Sequence, residues 1–159
     1  MIIIFIFSSQ TGNISANLSG SITENIINLL IPDFETFTLE KQLDILDTAH
    51  FVIRKGAHFT EYAILGTFSV LTLLTHLCAS KGILIYESLK KQLILNIIIS
   101  LIFSVLYAIS DEIHQGFTAG RFPAIQDVMI DSCGALCGIL ITVLMFYFFH
   151  IKKVLQNQN

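Results

Sequence analysis

Three stretches, 57–79, 93–110 and 128–149, are apolar almost throughout. The first carries one charge, Glu61, close to its start, the second carries none, and the third carries Asp131 one turn in. About 20 apolar residues in a helix cross the hydrocarbon core of a bilayer, and an ionisable side chain at its centre costs about 2.5–3.5 kcal/mol on insertion scales. Each stretch therefore reads as a membrane span. Charged residues make up 13% of the 159, about half the usual share for a soluble domain, while 53% are hydrophobic and the mean hydropathy is +0.72. A soluble globular fold is excluded. So is a nucleic-acid-binding role, since no basic stripe with interleaved aromatics occurs. The expected fold is all-α: one polytopic membrane domain over 1–155, followed by a polar tail, 156–159.

The chain opens MIIIFIF, an apolar run over 1–7 that covers about a third of the hydrocarbon core as a helix. It reads as the truncated tail of a fourth span. No basic residue precedes Ile2, so it is not a secretory signal, and the expectation is that the start was assigned too late.

Orientation follows the positive residues of short loops. Lys81, Lys90 and Lys91 lie between the second and third spans, and Lys152 and Lys153 follow the last. Those ends are expected in the cytoplasm, which leaves Lys41, Arg54, Lys55 and Arg121 outside, with every carboxylate except Glu87 outside or in the outer half of the membrane. Between Ser8 and Ile53 the composition is mixed. Ser21 and Glu24 fit a capping box ahead of Ile22, Ile26, Ile27 and Leu30, and Leu39, Leu43, Leu46 and His50 recur at helical spacing. Two short amphipathic helices on the outer membrane surface are expected. On the last span Gly134 and Gly138 have the small-xxx-small spacing of close helix contacts, with Cys133 and Cys137 read as small packing residues beside them.

Polar residues gather at the outer ends of the spans. His58 precedes Glu61 and Tyr62 by three and four residues, just after Arg54 and Lys55, so these side chains share a helix face. Asp111 and His114 repeat the spacing, with Glu112 and Gln115 beside them. The connection 116–123 is short, with Gly116 and Gly120 for the turn, Arg121 within it and Pro123 suited to a first helical position. It makes the third and fourth spans antiparallel neighbours. Asp127 and Asp131 follow one turn apart. Arg54, Lys55 and Arg121 are the natural counter-charges for Glu61, Asp111, Glu112, Asp127 and Asp131, and the set implies an outward-facing polar pocket.

In order along the chain, Phe7-Ser8-Ser9-Gln10, Arg54-Lys55 with His58-Phe59 and Glu61-Tyr62 leading to Leu65-Gly66, then Ser110-Asp111-Glu112 with His114-Gln115, Phe117 and Gly120-Arg121, and finally Asp127, Gly134 and Gly138 resemble the VanZ-like membrane proteins, named after a teicoplanin-resistance protein. Asp131 stands where members of that family often carry Asn. The resemblance covers most of the chain. It implies a four-helix membrane protein and, for some members, reduced susceptibility to lipid-anchored glycopeptides.

Three function classes follow. The first is an envelope protein whose pocket engages a lipid-linked precursor, a surface polymer or a lipoglycopeptide, with Arg54, Lys55 and Arg121 pairing phosphate or carboxylate. The second is an intramembrane enzyme with His58 or His114, held by Glu61 or Asp111, as general base. A variant of it uses His58, Glu61, Asp111, His114 and Asp127 as ligands to a divalent metal such as Zn or Mn. No H-E-x-x-H and no activated nucleophile accompany them, Ser110 being a loose candidate. The third, an ion pathway, needs polar stations across the membrane, and the third span offers only Asn96, Ser100 and Ser104. The sequence leaves oligomeric state open, because Gly134 and Gly138 serve a dimer contact as well as an internal one.

Overall fold

The computed structural model describes residues 2–80 and 86–151. Lys81, Lys152 and Lys153, which carry much of the orientation argument, lie outside the described residues. Among those described there are five α-helices and no strand: α1 (Ile2–Ser8), α2 (Gly12–Leu30), α3 (Leu39–Ser80), α4 (Tyr86–Gln115) and α5 (Ile125–Phe146). A 3-10 turn, Phe34–Thr36, precedes α3, and a π turn, Tyr147–Ile151, follows α5. Three helices are long and apolar enough to cross a membrane, over Leu39–His76, Lys90–Gln115 and Ile125–Phe149. The molecule is a multi-pass membrane protein by this measure.

Two expectations about the polar N-terminal region change. The segment from Leu39 to His50 is not a separate surface helix but the first turns of α3, which runs unbroken for 42 residues. At about 1.5 Å per residue that is about 63 Å, twice the hydrocarbon thickness. Its internal breakers are Gly56 and Gly66, and one glycine costs a helix about 1 kcal/mol, too little to end it. The other helix, α2, starts at Gly12 rather than at Ser21, which lies in mid-helix with Glu24. Its start is anchored by tertiary structure, because the Gly12 amide donates to the Ala119 carbonyl of the α4–α5 loop at 3.1 Å.

In the membrane part α4 runs antiparallel to α5, as the short loop requires, yet the closest neighbour of α5 is α3, which runs parallel to it. Small residues set this contact. A Cβ on Gly134 would overlap the Phe59 carbonyl, one on Gly138 the Ala63 carbonyl, and one on Gly66 the Ala135 carbonyl. The two backbones touch, so these glycines serve an internal contact. Thr142 Oγ1 adds a 3.3 Å hydrogen bond to Thr67 Oγ1 across the seam. Cys133 and Cys137, read as packing residues, instead face outward and are exposed, because the glycines beside them hold the inner face.

Below the loop, Ile4 of α1, Tyr62 and Leu65 of α3, Ala108 of α4 and Ala135 of α5 form one apolar cluster. Deeper, Val70, Leu74, Leu93 and Ile139 form a second. Asn96, Ser100 and Ser104 are buried along one face of α4.

Candidate functional site

The α4–α5 loop builds one wall of the site. Thr118-Ala119-Gly120-Arg121 closes on a hydrogen bond from the Arg121 amide to the Thr118 carbonyl (3.2 Å), with Gly120 at φ 77°. This is the third turn position that needs a positive φ in a type II turn, and glycine takes it without strain. The turn carries Arg121 back into the protein, where it is buried. Burial draws the guanidinium below its ordinary pKa and Arg54 acts in the same sense, while Asp111, Glu112 and Glu61 oppose the shift. Pro123 does not take a first helical position: α5 begins at Ile125 with Ala124 as its N-cap. The Ala124 amide donates to Glu112 Oε2 at 2.8 Å, so Glu112 performs from a neighbouring helix the service a capping-box Glu performs from its own.

Across the α3–α5 seam an ion pair and a His–Asp contact lie one turn apart. Lys55 Nζ and Asp127 Oδ1 form an ion pair, with side chains 19% and 7% exposed. Asp127 sits in the first turn of α5, where the helix N-terminus also favours a negative charge. Next, His58 Nδ1 lies 3.8 Å from Asp131 Oδ1, too far for a hydrogen bond. Asp131 is fully buried, and neither of its oxygens has a hydrogen-bond partner. Tyr62 is also fully buried, its hydroxyl without a hydrogen-bond partner and its ring 6.3 Å from that of Tyr107.

The second expected pair does not form. Asp111 accepts from Gln115 Nε2 at 3.0 Å. His114 turns toward α1, stacked on Phe5 at 4.7 Å with Nε2 3.3 Å from Ser9 Oγ. Ser110 is exposed and its hydroxyl donates to the Tyr107 carbonyl at 2.8 Å, away from the other polar groups. Among the described residues, no three His, Cys, Asp or Glu side chains converge closely enough to hold a metal ion.

A cavity of about 230 Å³ is lined by Arg54, His58, Glu61, Asp111, Gln115 and Arg121. Lys55, Tyr62, Glu112, His114, Asp127 and Asp131 are not part of its lining. The remaining polar lining comes from Ser8 and Gln10 after α1 begins and from Ser15 and Ser19 of α2. Nothing in the local spacing of Ser15 and Ser19 marks them as part of the site, because α2 reaches it only through tertiary folding. Ser8 is buried with its hydroxyl unpartnered. Beside the cavity an apolar groove of about 640 Å³ opens between α3 and α4, and Ile4 and Glu61 line both.

No curated protein and no solved structure matches the chain. The family model described as VanZ/LLP1 matches residues 1–147, a span that includes every element from α1 to the end of α5 and all of the cavity lining. The chain belongs to the VanZ/LLP1 family.

Proposed function

We propose that this protein binds the charged portion of a cell-envelope amphiphile in the polar cavity, on the extracytoplasmic face of the membrane, and thereby lowers susceptibility to teicoplanin-type lipoglycopeptides. The observation that carries this reading is the cavity itself. Arg121, Asp111, Gln115 and Ser8 are buried yet line open space. Asp111 and Gln115 hydrogen-bond to each other, as groups that glue helices do, yet the set also surrounds a volume that a charged group can fill. Lys90 and Lys91, at the opposite end of α4, support the orientation by the positive-inside rule. The packing of α1 on α4 and within the shared apolar cluster supports counting it with the three spans as a four-helix arrangement.

A second reading is acid–base chemistry on the same ligand. It is favoured by one contact, His58 on the cavity wall with the Asp131 carboxylate 3.8 Å behind it, a separation that a small side-chain rotation would close into a hydrogen bond orienting the imidazole.

Expression in a sensitive Gram-positive host tests the first reading. The expected result is protection against teicoplanin but not vancomycin, lost in His58→Ala, Asp111→Ala and Arg121→Ala at matched protein levels. Variants that protect as well as the wild type would exclude the cavity as the cause. A wild type that behaves like the empty vector would remove the lipoglycopeptide from the reading.

A further inference from the structure

The cavity and the apolar groove adjoin, and their common lining is Ile4 and Glu61. We propose that together they form one site for an amphiphile with an aminoalkyl phosphodiester head and an acyl chain, the head in the cavity and the chain in the groove. This deepens the binding reading above and rests on it.

The dimensions suit such a molecule. Along α3 the groove extends from Glu61 to Leu73, about 18 Å at about 1.5 Å per residue, close to the half-thickness of a hydrocarbon core of about 30 Å. An acyl chain of one leaflet has that reach. Ile64 and Phe68 on the groove's wall are exposed, so a chain enters sideways from the bilayer without the helices separating. The cavity, at about 230 Å³, has room for a small phosphodiester head.

The charges select the head. Arg54 and Arg121 line the cavity together with Glu61 and Asp111. A head that is only anionic gains from the guanidinium groups, which match phosphate oxygens in a bidentate fork, but meets two carboxylates. A head that carries an ammonium beside its phosphate answers both signs. Ser8, buried with an unpartnered hydroxyl on the cavity wall, supplies a further donor for a phosphate oxygen.

The test uses the full chain in nanodiscs of digalactosyldiacylglycerol, a bilayer lipid with neither phosphate nor ammonium, doped with lipids carrying a diazirine on one acyl chain: phosphatidylethanolamine, phosphatidylglycerol or diacylglycerol. Adducts are mapped by peptide mass spectrometry. Leu140 and Leu144, on the exposed face of α5, report ordinary lipid contact. The expected result for phosphatidylethanolamine is labelling of Phe68, Leu73, Ile99 and Phe103 about tenfold or more above the α5 face, the factor at the lower end of what one charged hydrogen bond supplies. Phosphatidylglycerol labels the groove less, and diacylglycerol shows no preference. Arg121→Gln brings the ratio toward one, and Arg121→Lys restores part of it. In parallel, glycerophosphoethanolamine, a head without chains, raises the melting temperature of the wild type and of Ser69→Phe, which fills the groove from its wall, but not of Arg121→Gln. Ser69→Phe also loses the groove labelling.

If the chainless head stabilises the protein through Arg121 but all three lipids label groove and α5 face alike, the groove is ordinary lipid-facing surface and the inference falls while the cavity reading stands. Equal groove labelling by phosphatidylethanolamine and phosphatidylglycerol overturns the role of the ammonium. If the chainless head gives no stabilisation and Arg121→Gln changes neither labelling nor drug susceptibility, the cavity reading falls as well.

Discussion

Removing Lys55 should destabilise the protein more than removing the charge it pairs with. Exposed ion pairs contribute about 0.2–1 kcal/mol, while breaking a buried pair by deleting one partner costs about 3–5 kcal/mol, because the other charge is left without compensation. The Lys55–Asp127 pair lies between these limits, with side chains 19% and 7% exposed. In Lys55→Met the Asp127 carboxylate is left in its buried position with only the N-terminus of α5 to favour it. The methionine retains the apolar contact of the lysine stem beside Phe51, over whose ring the ammonium lies at 5.6 Å. We expect a loss of about 2–3 kcal/mol. In Asp127→Asn the orphan is Lys55, whose flexible stem lets the ammonium swing to water, so the loss falls to about 1–2 kcal/mol. The double variant strands neither charge, and the coupling free energy of the cycle should be about 2 kcal/mol. Equilibrium unfolding in one detergent measures it, at low and at high salt. A partly buried pair is screened little. A coupling below about 0.5 kcal/mol, or one that vanishes at high salt, would show a solvated surface pair and refute the argument.

Other perturbations follow from the same geometry. Gly138→Ala and Gly134→Ala place a methyl against the Ala63 and Phe59 carbonyls, and each should cost about 1–3 kcal/mol of unfolding free energy; the same change at the exposed Cys133 or Cys137 should stay within about 0.5 kcal/mol. Glu112→Leu leaves the Ala124 amide without its acceptor and should cost about 1–2 kcal/mol, with faster amide exchange confined to the first turn of α5 by hydrogen-exchange mass spectrometry. Glu112→Gln, which keeps a carbonyl acceptor there, should recover most of that protection. Thr118→Cys should react with an impermeant maleimide added outside intact cells and Ser88→Cys should not; the reverse pattern would invert the orientation.

The apolar runs marked the three membrane-crossing helices because a bilayer imposes length and composition together, which few other environments do. Local breaks and starts were harder to read. Helix ends are signalled by Gly, Pro and caps, and α3 continues through Gly56 while α2 begins where Gly12 meets Ala119 of a distant loop. The polar site was legible as a set of residues but only partly as pairs. Spacing allowed His114 to meet Asp111, yet Phe5 and Ser9 hold the one and Gln115 the other. Helical spacing limits which side chains can touch; competing partners on other helices decide which do.

The pairing of α3 with α5 carries the physical link between the fold and its site. The glycine contacts align Gly134 with Phe59 and Gly138 with Ala63, and the Thr142–Thr67 hydrogen bond continues the same register. Followed one and two turns toward the loop, that register brings Asp131 to His58 and Asp127 to Lys55. Two parallel helices meeting backbone to backbone leave little freedom to slide, so the depth of the charged contacts is set by residues that carry no charge. A larger side chain at position 138 should therefore disturb the cavity as well as stability, since it moves the helix bearing Asp127 and Asp131 against the one bearing Lys55, His58 and Glu61. Gly138→Leu at a temperature where the protein remains folded should lose Lys55–Asp127 coupling, whereas Leu93→Ala in the deeper apolar cluster, which removes buried packing on α4 and leaves the glycine seam intact, should retain it.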